Sequence, residues 1–193
     1  MLNFKELKKI KGDASFRKFY RNKKNNSIIV YSQKERARNL LIYDAINKIL
    51  IKNNILAPKL LSQNYKKNYI EVEDFGDNTL YRVIQYKKIK KNFIYNQILI
   101  ILKKLQSIKD RHIKNFKSKK YKVTKYHNRI LLNEADLFSK WYAPSKLNGI
   151  QIKNFKKKYK NEVNNLILKL NFKNDTFVHR DFHVSNLMYI KNN

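Results

Sequence analysis

Phe177-Val178-His179-Arg180-Asp181-Phe182-His183-Val184-Ser185-Asn186-Leu187-Met188-Tyr189-Ile190 is the passage whose reading decides the fold of this 193-residue chain. Two apolar β-formers lead in, and a second apolar run, Leu187 to Ile190, leads out. The pattern predicts strand, loop, strand, with Asp181, His183 and Asn186 carried on the loop at the edge of a cleft. Two of the four histidines, His179 and His183, flank Asp181.

Upstream, residues 4 to 31 read as three strands: Phe4 to Ile10, Phe16 to Arg21 and Ser27 to Tyr31. Gly12-Asp13-Ala14-Ser15 and Lys23-Lys24-Asn25-Asn26 supply the turn chemistry between them. Leu40, Leu41, Tyr43, Ile46, Ile49 and Leu50 recur at helical spacing and predict a helix over 35 to 51, closed by Asn53-Asn54. Beyond Pro58, the runs 59 to 63 and 69 to 75 read as a hairpin, and its second strand runs into the acidic connector Glu71-Val72-Glu73-Asp74-Phe75-Gly76-Asp77. From Thr79 the period is helical, over 80 to 85, 93 to 108, 130 to 142 and 155 to 170, with Trp141 and Tyr142 expected in the core. The lysine-rich stretch 109 to 126 is expected to be a solvated surface loop.

Composition narrows the class. Hydrophobic residues make up 42% of the chain, enough for a core, and the absence of cysteine excludes disulfides and thiolate metal sites. No apolar run approaches the roughly 18 residues of a membrane span, and the N-terminus lacks the apolar core of a signal peptide, so a cytoplasmic monomer is expected. The net charge of +30 would ordinarily suggest a polyanionic partner. Lysine, asparagine and isoleucine are abundant here while glycine and proline are scarce, the imprint of an A/T-rich coding sequence, and the charge is read mainly as a solvated surface. The aromatics fall at core periods rather than among exposed lysines, so a nucleic-acid partner is not expected. A non-catalytic basic module that binds RNA or an anionic surface is the alternative of another class.

By period alone the chain is α+β: a β-rich segment with one helix, a short connector near 71 to 78, then helices that carry the polar loop. The chemistry of that loop is specific. Phosphoryl transfer needs a carboxylate to orient a hydroxyl and take its proton, and an oxygen ligand for the magnesium ion that bridges the nucleotide phosphates. Asp181, with Asn186 five positions on, meets both needs.

His179-x-Asp181-x-His183-x-x-Asn186 resembles the signature of the aminoglycoside phosphotransferase and choline kinase superfamily. With Gly12 to Arg21, the connector 73 to 77, the segment Glu134 to Tyr142 and the trailing Asn186-Leu187-Met188, the chain looks most like the bacterial cell-wall amino-sugar kinases. Those enzymes phosphorylate the anomeric hydroxyl of N-acetylmuramate or N-acetylglucosamine. The resemblance runs over nearly the whole chain, and four motifs stand in the same order.

The resemblance implies a protein-kinase-like two-lobed fold, with a nucleotide-binding lobe and connector over 1–78 and a partial helical lobe over 79–193. It implies ATP and Mg²⁺ as cofactors, Asp181 as catalytic base and Asn186 as metal ligand. His183 would touch phosphate or support the loop, and His179 would brace it. Gly12, Asp13, Ala14 and Ser15 would cover the phosphates, and Glu73, Asp74 and Phe75 would border the adenine. Tyr31 stands where protein kinases place a strand lysine, which leaves Lys34 as the nearest candidate. The family's Asp-Phe motif, which binds a second metal position, does not occur up to Asn193. Residues 1–193 alone are therefore expected to lack turnover. An aminoglycoside or choline-type acceptor is the alternative within the superfamily.

Overall fold

The computed structural model describes residues 6–10, 17–33, 38–86, 89–171 and 175–190. The chain is α+β. It divides into two compact units, Met1–Val123 with His179–Asn193, and Thr124–Val178 between them in sequence.

The first unit is built on a five-stranded antiparallel sheet of β1 (Lys8–Ile10), β2 (Arg17–Asn22), β3 (Ser27–Ser32), β4 (Leu60–Asn64) and β5 (Tyr69–Glu73), in the order β1-β2-β3-β5-β4. The side-chain alternation of strands sets the register. Val30 lies opposite Ile70, and Ile28 opposite Val72, so one face gathers its branched side chains. Val30, Leu40, Ile70 and Val72 are buried there, with Phe19, Ile28, Tyr43, Leu60, Tyr65 and Phe116 packed against them. Full burial of each such aliphatic side chain stabilises by roughly 1.5–3 kcal/mol. Leu40 and Tyr43 come from α1 (Asn39–Lys52), the amphipathic helix expected from the 3.6-residue period.

The opposite face carries a polar knot. Glu71 lies across from the fully buried Ile29 and is itself buried. Burial raises its pKa, yet hydrogen bonds from Ser27, Asn25, Ser62 and Asn22 outweigh that cost and hold the carboxyl below its ordinary value. Ser27 and Asn25 donate to Oε1, and Ser62 donates to Oε2 at 2.9 Å. A carboxyl whose folded pKa is depressed contributes stability above its unfolded pKa of about 4.3 and loses it as pH falls through the folded value. Melting temperature followed from pH 6 to pH 3 should therefore fall more steeply for the wild type than for Glu71→Gln. Parallel curves would rule this role out.

The lysine-rich stretch after Ile108 is a hairpin rather than a solvated loop. Strands β6 (His112–Lys114) and β7 (Lys120–Lys122) pair antiparallel around a turn that Asn115 closes, its Oδ1 accepting from Lys117 N at 2.9 Å and Lys119 N at 3.3 Å. The reason for the difference lies far away in the sequence. Asp44 on α1 is buried, pairs with Lys48 at 2.9 Å, and accepts from the backbone N–H of Phe116 at 2.7 Å. Phe116 meets Tyr65 edge to face at 5.7 Å, and Lys52 of α1 bonds Asp110 at 2.8 Å. The hairpin is docked, not free. The same unit contains α2 (Leu80–Tyr86) and α3 (Lys91–Ser107).

The second unit holds α4 (Asn128–Leu137), a wider π turn over Phe138–Tyr142, a short 3₁₀ turn over Ala143–Ser145, and α5 (Gly149–Leu170). Tyr159 of α5 donates its hydroxyl to Ala135 O at 2.9 Å, just before the helix widens. Phe138 stacks on Tyr142 and meets Phe155 and Tyr159 of α5 at tilted angles, and Phe155 stacks on Tyr159. Trp141 and Tyr142 are not core residues, being 79% and 54% exposed. The π turn shifts the helical phase at that point, so the two side chains leave the buried stripe that a regular helix would give them. No helix among the described residues is long and apolar enough to cross a membrane.

Candidate functional site

The stretch 177 to 190 forms no strands. It is an irregular loop whose one bridge pairs Thr79 with Met188. Its backbone groups are used elsewhere. Leu187 O accepts from Leu80 N at 2.8 Å, Val184 O accepts from Tyr81 N at 3.0 Å, and Tyr189 N donates to Asn78 O at 2.7 Å. The first turn of any helix presents N–H groups without intrahelical partners. Here the loop supplies carbonyls for two of them, while Thr79 Oγ1 accepts from Arg82 N at 3.3 Å. Leu187 and Tyr189, expected in a strand, pack instead with Val184 of the loop on Leu80, Val83 and Ile94.

Braced in this way, the loop brings its three polar side chains together. Asn186 Nδ2 donates to Asp181 Oδ2 at 2.6 Å and to Asp181 O at 3.1 Å. His183 Nε2 stands 3.1 Å from Asp181 Oδ1. Asp181 is 71% exposed and His183 48%, so the cluster faces solvent. Arg180, immediately before it, has φ +71°, a left-handed conformation that costs a non-glycine residue on the order of 1–3 kcal/mol. That turn is what directs Asp181 back toward Asn186.

The histidine tautomer follows from these bonds. Ser185 N–H donates to His183 Nδ1 at 3.3 Å, so that nitrogen carries the lone pair and Nε2 carries the proton, which points to the carboxylate. The 3.0 Å approach of Asn186 Nδ2 to His183 Nε2 then joins two donors and is a contact rather than a bond. Both N–H groups of Asn186 are spent on Asp181. Its Oδ1 accepts no hydrogen bond among the described residues.

His179 contributes differently. Its ring lies edge-on to Phe182 with centroids 5.7 Å apart. Nδ1 is buried and has no hydrogen-bond partner among the described residues. Burial lowers its pKa, against the upward pull of the Asp181 charge and backbone, and favours the neutral ring.

The acidic connector is organised by a residue that sequence reasoning passed over. Arg21, on β2, donates Nε and Nη2 to Asp74 and Nη1 to Asp77 at 2.8 Å. Asp74 Oδ1 also accepts from Gly76 N at 2.7 Å, inside a turn where Gly76 has φ +79°. Glu73 Oε2 accepts from Lys59 N at 3.0 Å. The carboxylates of Glu73 and Asp74 thus hold the sheet's end, and any ligand contact here falls to backbone groups or to the half-buried Phe75. The signal for Arg21 was the unbalanced pair Asp74 and Asp77, which demanded a cation. Because Asn78 follows directly and bonds Tyr189, the connector and the polar loop are one continuous structure.

Neither protein-family models nor curated proteins give a match to this chain. Gly12, Asp13, Ala14, Ser15 and Lys34, the remaining expected nucleotide-binding residues, lie outside the described residues. No group of three or more His, Asp or Glu among the described residues is arranged to hold a metal by itself. Asn186 Oδ1, which accepts no hydrogen bond among the described residues, is the kind of oxygen that a hard cation such as Mg²⁺ takes while it keeps several waters and shares its sphere with phosphate oxygens.

Proposed function

We propose that this chain belongs to an ATP-dependent phosphotransferase that acts on a hydroxyl of a small molecule, with a protein-kinase-like arrangement of a sheet lobe and a helical lobe. The anomeric hydroxyl of a cell-wall amino sugar is the first choice of acceptor. An aminoglycoside or choline-type alcohol is the second. The observation that carries this reading is the convergence of Asp181, His183 and Asn186 on an exposed loop bonded to the start of α2.

In this reading Asp181 accepts the proton of the attacking hydroxyl as the new P–O bond forms. His183 donates through Nε2 to one carboxylate oxygen and fixes the plane of the carboxylate. Asn186 turns its amide nitrogen to Asp181 and leaves Oδ1 for Mg²⁺. When bound, ATP would supply the γ-phosphoryl group, its bond to the β-phosphate breaking as ADP leaves, and Mg²⁺ would offset the charge on the phosphates. The acidic connector, positioned by Arg21, borders the base through its backbone.

The test is ATP consumption by the protein expressed from its complete coding sequence, with Mg²⁺ and each of N-acetylmuramate, N-acetylglucosamine, an aminoglycoside and choline. Acceptor-dependent turnover with at least one of them is expected. Failure with all four overturns the proposal.

A further inference from the structure

The β6–β7 hairpin has two unlike faces. Ile113 and Tyr121 are cross-strand partners and half-buried, while His112, Lys114, Lys120 and Lys122 are exposed. The register sets Lys114 directly opposite Lys120 and His112 opposite Lys122. Like charges in directly opposed positions destabilise a ribbon. Among the described residues no carboxylate forms an ion pair with Lys114, Lys120 or Lys122; Asp110, at the base of the ribbon, is taken by Lys52 and His112. Lys119 extends the exposed charge around the turn, while Lys117 lies over the Tyr65 ring, 5.1 Å from its centroid. A mobile loop of lysines would need no explanation, but this ribbon is held in place by Asp44, Phe116 and Lys52. A fixed, uncompensated cationic face is a surface ready for a polyanion.

We propose that the lysine face of β6 and β7 binds the phosphate backbone of a nucleic-acid duplex without reading its bases. Two observations select this partner. No large apolar side chain is exposed in the hairpin, whereas surface-bound membrane elements insert such groups beside their lysines. Nor is a Phe, Tyr or Trp ring offered on the lysine face, which disfavours base stacking and leaves phosphate neutralisation, the sequence-independent mode.

The experiment is fluorescence anisotropy of labelled mixed-sequence RNA and DNA duplexes across a salt series. It compares the whole chain with a variant carrying Lys114→Gln, Lys120→Gln and Lys122→Gln. A control carries Lys153→Gln, Lys157→Gln and Lys160→Gln on α5, all exposed, for the same change in net charge. Each lost phosphate contact lowers the slope of log K against log salt by about 0.9. The ribbon variant should therefore lose about 2.7 from the slope and at least about tenfold in affinity. The control should stay within about twofold, and Lys→Arg at the three ribbon positions should preserve binding. Equal losses in ribbon variant and control would reduce the effect to bulk charge and overturn the proposal. Absence of duplex binding, or ribbon-dependent binding to phosphatidylserine vesicles in its place, would overturn it too.

Discussion

Asp181→Asn is expected to lower kcat with the best acceptor by about 10²–10⁴-fold, the range over which a positioned general base accelerates proton transfer. The substitution keeps the shape of the side chain, and its carbonyl oxygen can still accept from His183. What it removes is the basic lone pair. In the proposed mechanism KM for ATP should stay within about threefold, because the base would act on the hydroxyl and not on nucleotide binding. Stability should be nearly unchanged, within about 0.5 kcal/mol, since the side chain is 71% exposed. Steady-state kinetics and a thermal melt decide the matter together. A variant that folds and retains more than a third of wild-type kcat removes Asp181 from the chemistry.

Arg21→Met is expected to be the more damaging change to the fold. The Arg21 side chain is 15% exposed and Asp74 only 5%, so removal of the guanidinium strands a buried carboxylate. Breaking a buried pair from one side costs about 3–5 kcal/mol, most of it the price of the charge left behind. Asp77 adds a second, exposed carboxylate to the same place. Chemical denaturation measures the loss directly. Arg21→Met combined with Asp74→Leu should recover part of it, because replacing both partners by apolar groups leaves nothing unpaired. A loss below about 1 kcal/mol in the single variant would mean that solvent already screens the pair. The hydrogen bond from Arg21 lowers the pKa of Asp77, against a smaller effect of burial. This contribution is present above the unfolded pKa of about 3.9 and disappears as pH falls through the folded value. The variant should lose that acid-dependent component.

The sheet was legible because its information is local and periodic. Ile28 and Val30 alternate, Ile70 and Val72 alternate, and the turns between strands carry asparagine or glycine. The Asp181, His183 and Asn186 cluster was legible for a related reason, since all of its bonds span five residues or fewer. The β6–β7 hairpin was not legible. Its apolar positions, Ile113, Tyr121 and Val123, are interrupted by lysines, and its anchor Asp44 lies 72 residues from Phe116. Arg21 was hidden in the same way, 53 residues from Asp74. The flanks of the polar loop misled because an apolar residue that packs on a helix leaves the same trace as one in a strand. Only the destination of the backbone hydrogen bonds separates the two, and Thr79 to Tyr81 lie about a hundred positions upstream.

The chain's two-segment first unit has a consequence for the order in which it is made. Residues 78 to 81 emerge early in synthesis, while the carbonyls and apolar side chains that complete them, from Val184 to Tyr189, emerge only after the whole of 124 to 178. Closing so long a segment adds little entropy cost beyond a shorter one, since the cost grows only with the logarithm of length. The delay is the greater burden. Until the last segment arrives, Leu80, Val83 and Ile94 lack part of their cover and the start of α2 lacks two of its acceptors. The candidate site therefore forms only after residues 124 to 178 have emerged, and until then the nascent chain carries an incomplete apolar surface at the start of α2.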